Sequence, residues 1–208
     1  MMVKISPVFL ALAFALQPAR AKAQLSQTPN HRWGLLARAE TVLAARAQLG
    51  DATPFMLGAG FSGRRRMAHW WALDLGLDFL RGIDANGYHR DEVATGASVV
   101  LYPRYRDFNQ IYLLGGLDFS HARVFSEQAR PHLANGTSDS YDYLGLHAGL
   151  GVEILFNEGL GLMLDAVAFG RTRLEASDQY PEFFDETDHS ASNTSGGCLV
   201  RSGLVLWW

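Results

Sequence analysis

The sequence predicts an all-β chain: an eight-stranded antiparallel up-and-down β-barrel that crosses a membrane after export. Three observations predict it. The N-terminus carries an export signal, the rest of the chain alternates apolar and polar residues in eight stretches, and short and long connections take turns between them.

The export signal comes first. Lys4 gives a short positive region, Ile5 to Leu16 form a mostly apolar stretch of 12 residues, and Ala21-Lys22-Ala23 places small residues where a signal peptidase requires them. A bilayer-spanning helix needs about 20 apolar residues, so this stretch is too short to be one. The expected cut after Ala23 makes residues 1–23 a signal peptide, 24–32 a periplasmic segment and 33–208 the barrel. Cys198 is the only cysteine, which excludes an internal disulfide framework, a lipoprotein anchor after the cut and a Cys-rich metal site.

Removing the signal takes away Lys4, Arg20 and Lys22, so the remaining chain has 15 arginines, no lysine and 21 acids, a formal charge of −6. That balance, with no basic patch, argues against a nucleic-acid partner. No later apolar run reaches 18 residues, so no transmembrane helix is expected.

The expected strands are Trp33–Ala44, Phe55–Arg64, Trp70–Leu80, Glu92–Tyr102, Gln110–Ser120, Tyr141–Leu155, Leu160–Arg173 and Asn193–Trp208. Successive side chains on a strand point to opposite faces. The third strand sets Trp71, Leu73, Leu75, Leu77 and Phe79 against Asp74, Gly76 and Asp78; the sixth sets Leu144, Leu146, Leu150 and Val152 against His147 and Glu153. Arg38 and Glu40, Asp118, Asp165 and Arg171, and Arg201 fall on the polar face of their strands in the same way. An arginine or lysine facing lipid costs roughly 2–4 kcal/mol at the midplane, which accounts for the segregation.

A soluble barrel would alternate too, with its apolar face turned inward. The polar face here is glycine-rich and lacks the lysines that decorate soluble surfaces, so it reads as the inside. Connections agree. Arg65–His69, Pro103–Asn109 and Phe156–Gly159 are short, and the links after the odd-numbered strands are longer, up to His121–Ser140 and Leu174–Ser192. Aromatics gather near strand ends: Trp33, Trp70, Trp71, Tyr102, Phe108, Phe156, Trp207 and Trp208 on the turn side, and Phe79, Tyr88, Phe119 and Tyr141 on the loop side. Arg64, Arg65, Arg66, Arg104 and Arg106 make the turn side basic, and the final loop is acidic.

The chain ends Val200-Arg201-Ser202-Gly203-Leu204-Val205-Leu206-Trp207-Trp208. With this ending it resembles the small bacterial outer-membrane β-barrel proteins, the OmpA/OmpX-like group. The resemblance implies an outer-membrane location, contact with outer-membrane lipids and lipopolysaccharide, and a terminal signal read by the barrel-assembly machinery. Leu204, Leu206 and Trp208 match that signal, with Ser202 a departure and Trp in place of the commoner terminal Phe.

Chemistry-bearing motifs are sparse. Gly58-Ala59-Gly60-Phe61-Ser62-Gly63 spells a dinucleotide fingerprint but lies within a strand, with no helix to present amides to a pyrophosphate. His189-Ser190-Ala191-Ser192-Asn193 has the His and Ser of a lipid A deacylase at a different spacing, with no orienting acid after it. His147 and Glu153 share a face but stand roughly 20 Å apart along the strand, too far to share a metal ion. Asn135-Gly136-Thr137 and Asn193-Thr194-Ser195 match glycosylation sequons by chance. No cofactor, metal or catalytic residue is expected.

What remains is a lumen charge network, in which Arg38, Arg171 and Arg201 pair with Glu40, Asp74, Asp78, Asp118, Glu153 and Asp165 beside His147, and a candidate interaction loop with Tyr180, Phe183, Phe184, Asp185 and Glu186. The leading expectation is a monomeric, non-enzymatic barrel with a structural or surface-interaction role and a plugged lumen. A narrow channel for small or apolar solutes, a lipid-modifying enzyme and a soluble ligand-binding barrel are the alternatives.

Overall fold

Alternation of branched apolar residues with small or polar ones fits a pleated strand with two unlike faces, and this pattern builds the whole molecule. A computed structural model describes residues 33–44, 54–84, 87–103, 109–125, 138–175, 183–184 and 191–208. Its long strands are β1 (Trp33–Ala44), β2 (Phe55–Ala68), β3 (Trp71–Ile83), β4 (His89–Leu101), β5 (Asn109–Phe125), β6 (Ser138–Leu155), β7 (Leu160–Arg173) and β10 (Thr194–Trp207). The two-residue strands β8 (Phe183–Phe184) and β9 (Ala191–Ser192) pair only with each other.

Among the described residues, the eight long strands form one closed antiparallel barrel in the order β1-β10-β7-β6-β5-β4-β3-β2. Consecutive strands are neighbours, and β10 returns to β1 with Gly34 opposite Trp207 and Ala44 opposite Gly197. Closure leaves no sheet edge, which is the condition for carrying backbone amides through lipid.

The apolar face is the outside. Leu75, Ile111 and Leu146 are 65%, 67% and 66% exposed, values that fit side chains whose solvent is hydrocarbon. Trp33, Trp70, Phe156 and Trp208 border this belt at the turn end, and Phe79 and Phe119 at the loop end. Just above the upper aromatics, Arg81, Asp91, Arg123 and Ser140 stand opposite one another on a single rung across β3, β4, β5 and β6. Arg81 and Asp91 pair in the open, at 2.7 Å. From Trp71 to Phe79 a strand advances about 26 Å, and a tilt near 40° leaves roughly 20 Å along the membrane normal. The rings at either end bring this toward the roughly 25 Å apolar band of an outer-membrane barrel.

Several expectations need correction. β2 continues four residues past Arg64, so the second turn is only His69–Trp70, and Trp70 belongs to that turn. β3 and β4 also extend toward each other, and the link between them, expected to be long, is the five-residue segment 84–88. Asp84 holds it. Its carbonyl accepts the Gly87 amide at 3.1 Å, its carboxylate accepts the Tyr88 amide at 2.9 Å, and Gly87 takes φ +77°, which favours glycine. Tyr102, Trp207 and Tyr141, expected in the aromatic girdle, point into the barrel and are buried. Their parity places them on the polar face. Phe108, Arg104 and Arg106 lie outside the described residues, as do the signal peptide and the 24–32 segment.

Candidate functional site

Eight strands enclose an interior about as wide as the side chains that fill it. The inner face carries the ten residues of the expected charge network, and all of them point inward. The structure arranges them, with others, in three layers along the barrel axis.

The layer at the turn end is built around Glu153 of β6, which is fully buried. Its carboxylate accepts the indole N–H of Trp207 at 2.8 Å and lies 3.5 Å from Arg64 and 3.6 Å from Arg66. Arg64 donates to Asp74 at 2.7 Å and to the Tyr102 hydroxyl at 3.3 Å. Arg66 donates to Gln110 at 2.8 Å and stacks its guanidinium over Trp207 and Tyr102, 4.4 and 4.9 Å from the ring centres. Beside them Arg201 grips Asp165 with two bonds, 2.7 and 3.2 Å, and the Tyr112 hydroxyl donates to the same carboxylate at 2.9 Å. Forked arginine–carboxylate pairs supply both direction and strength, which satisfies charges held away from water.

The middle layer has two separate groups. Arg38 bridges Glu40 and Asp78 and donates to the Ser62 hydroxyl at 3.0 Å. On the other wall, His147 Nδ1 lies 3.1 Å from Asp118 Oδ1 and its Nε2 lies 2.7 Å from Ser98 Oγ. The loop-end layer joins Glu92 to both Arg90 and Arg171, and Arg171 also donates to Ser195 at 2.8 Å. The two guanidinia stand over the Tyr143 ring at 4.9 and 4.7 Å.

Between the turn-end and loop-end layers lies a cavity of about 80 Å³. Val42, Met56, Leu80, Val167, Phe169 and Leu199 make its apolar wall, and Arg38, Asp78, Asp118 and His147 are among its polar lining.

The pairing differs in part from the expected one. Arg38 with Glu40 and Asp78, and Arg201 with Asp165, are brought together. Asp74 and Glu153 instead meet Arg64 and Arg66, Arg171 takes Glu92, and Asp118 pairs with His147 rather than with an arginine. Sequence reasoning had left Arg64 and Arg66 among the turn-side surface charges and omitted Arg90, Glu92 and Ser98. Strict period two carried on past the expected strand ends puts Arg64 and Arg66 on the face of Ser62, and Arg90 and Glu92 on the face of Ser98.

Leu204, Leu206 and Trp208 lie on the outer, lipid-facing side at the turn end. In the candidate interaction loop, Tyr180, Asp185 and Glu186 lie outside the described residues. Phe183 and Phe184 form the backbone of β8.

The family described as "Outer membrane protein beta-barrel domain" matches residues 8–189. No curated protein matches the chain in sequence. Among solved structures, the barrel is similar to Neisserial surface protein A (17% identity, TM-score 0.54, 85% of this chain and 97% of that one). It is also similar to Ail, the attachment invasion locus protein of Yersinia pestis (14%, 0.50, 86% and 99%). A third likeness is to the outer membrane protein OprG of Pseudomonas aeruginosa (10%, 0.51, 88% and 99%). At these identities the likeness is one of fold. The chain belongs to the outer membrane β-barrel domain family and is an eight-stranded barrel of the bacterial outer membrane.

Proposed function

We propose that the protein is a structural or surface-interacting barrel whose lumen is plugged, and that it does not serve as an open pore. The observation that carries this reading is the turn-end layer. Arg64, Arg66, Glu153, Tyr102 and Trp207 interlock across the lumen, and Arg64 is only 2% exposed. Solutes crossing that end would have to part several buried ion pairs, each costly to leave half-made.

The surface-interaction part rests on the loop-end rim. There β3 to β6 end on one rung, Ile83, His89, Phe125 and Ser138, and β6 runs on past its pairing with β7, which stops at Tyr143 opposite Arg173. The outer face of β5 and β6 turns polar at the rung of Phe79, where His121 and Asp142 pair at 2.8 Å in the open, and Arg123 and Ser140 follow above it. Such a rim suits contact with lipopolysaccharide headgroups or a surface partner, and attachment of the kind named for Ail is one form it could take. Leu204, Leu206 and Trp208 are the surface offered to the assembly machinery, and the barrel works as a monomer.

Single-channel recording in planar bilayers tests the plugged reading. The expected record has no steady openings. Steady openings would favour the narrow channel instead, a reading supported by the cavity that already occupies the middle of the lumen.

A further inference from the structure

On the inner face of the strands, among the described residues, Glu40, Asp74, Asp78, Glu92, Glu153 and Asp165 each meet an arginine. Asp118 does not. It meets an imidazole, and that imidazole meets a serine hydroxyl.

The register shows how this line of three is made. Ser98 of β4 stands opposite Gly116 of β5, and Gly116 stands opposite His147 of β6, so the three share one rung. Gly116 has no side chain to stand between the other two, and the ring of His147 crosses the gap to Ser98. A Cβ at Gly116 would overlap the carbonyl oxygen of Ala97. Asp118 lies two residues along β5 on the same face, opposite Gly145, where a Cβ would run into its carboxylate. Two glycines thus leave room for the arrangement, on a wall that faces the cavity.

Proton positions follow from the partners. An ionised carboxylate only accepts, so Nδ1 of a neutral His147 carries the hydrogen toward Asp118. Nε2 is then the acceptor, and the Ser98 hydroxyl donates to it at 2.7 Å. This is the order of a nucleophile, a base and an orienting acid.

We propose that Ser98 is a reactive nucleophile in the lumen, with His147 as its base and Asp118 as the positioning residue, and that it takes small, short-chain esters into the cavity. This departs from the expectation of a barrel without catalytic residues and does not depend on the plugged-lumen reading. Ser98 Oγ attacks the carbonyl carbon while its proton passes to His147 Nε2. The ester C–O bond then breaks, and the leaving alcohol takes that proton. Water, deprotonated by the same nitrogen, then attacks the acyl carbon, the bond from that carbon to Ser98 Oγ breaks, Oγ takes the proton back from Nε2, and the acid leaves. Arg38, Arg171 and Arg201 line the same cavity and are the cations available to charge developing on the carbonyl oxygen.

The test uses the folded full-length barrel in detergent micelles and a small alkyl fluorophosphonate, which phosphonylates an activated serine as its P–F bond breaks. The expected result is one adduct per chain, located on Ser98 by peptide mass and absent from heat-unfolded protein. S98A abolishes it while keeping the folded electrophoretic mobility. H147Q slows labelling by about 100-fold or more, the usual contribution of a general base. D118N slows labelling less. No adduct above that of unfolded protein, an adduct elsewhere than Ser98, or an unchanged rate in H147Q would overturn the proposal.

Discussion

The indole N–H of Trp207 donates to the carboxylate of Glu153 at 2.8 Å, reaching from β10 past β7 to β6. The residue before the last therefore anchors the closing strand to the turn-end plug, and its outward neighbours Leu206 and Trp208 face lipid.

Replacing Glu153 by leucine leaves Arg64 and Arg66 without a carboxylate that both approach, and leaves the indole without its acceptor. The expected loss is about 3–5 kcal/mol, the cost of breaking a buried ion pair from one side. Urea unfolding of lipid-reconstituted protein, followed by tryptophan emission, measures it. Glu153→Gln keeps an acceptor for the indole and loses less.

The outer belt and the rung above it should respond differently to charge. Leu75→Arg puts a guanidinium in the lipid belt and costs about 2–4 kcal/mol in the same assay. Removing the exposed charge of Arg123 from the upper rung changes stability by less than about 0.5 kcal/mol. Equal penalties at the two positions would mean that the membrane boundary has been placed wrongly.

Gly34 faces Trp207 across the closing seam, and a Cβ there would stand 2.8 Å from the indole ring. Gly34→Val pushes the ring away from Glu153 and destabilises by about 1–3 kcal/mol, as overpacking does. A lowered temperature for the shift between folded and unfolded electrophoretic mobility reports it; an unchanged temperature would show that the seam tolerates the side chain.

If the turn-end layer is the plug, thinning it opens the lumen. Arg66→Ala combined with Tyr102→Ala removes a guanidinium and the ring it covers. Steady single-channel openings, absent in the parent protein, are the expected result. A double variant as silent as the parent would place the barrier elsewhere along the barrel.

Much of the fold was legible because its rule is local. Each strand declares its two faces by alternation, and β1 and β7 have the very ends that the sequence suggested. One or both ends of β2, β3, β4, β5 and β6 were set too short. Arg65, Arg66, Arg81, Asp91 and His121 look like loop residues when polarity alone marks a boundary. In a barrel, strands run on beyond the lipid, so polarity marks the membrane edge rather than the end of the strand.

The candidate site was legible only as a set. Which residues face inward follows from parity, a property of each strand taken alone. Which of them meet depends on register, which one strand sets against the next. Asp118 and His147 lie 29 positions apart and Ser98 and His147 lie 49 apart. Nothing local distinguishes Asp118, which finds an imidazole, from Asp78, which finds a guanidinium. Glu153, expected to find its partner among Arg38, Arg171 and Arg201, meets Arg64 and Arg66 instead.

The sequence by itself determined the architecture, the lipid-facing surface and the inward set, because period two and the cost of charge in lipid act residue by residue. Only the tertiary structure decided the partners, the three layers, the cavity and the Ser98–His147–Asp118 line. Those depend on closure and on the stagger between neighbouring strands, which bring distant residues to the same height inside the barrel.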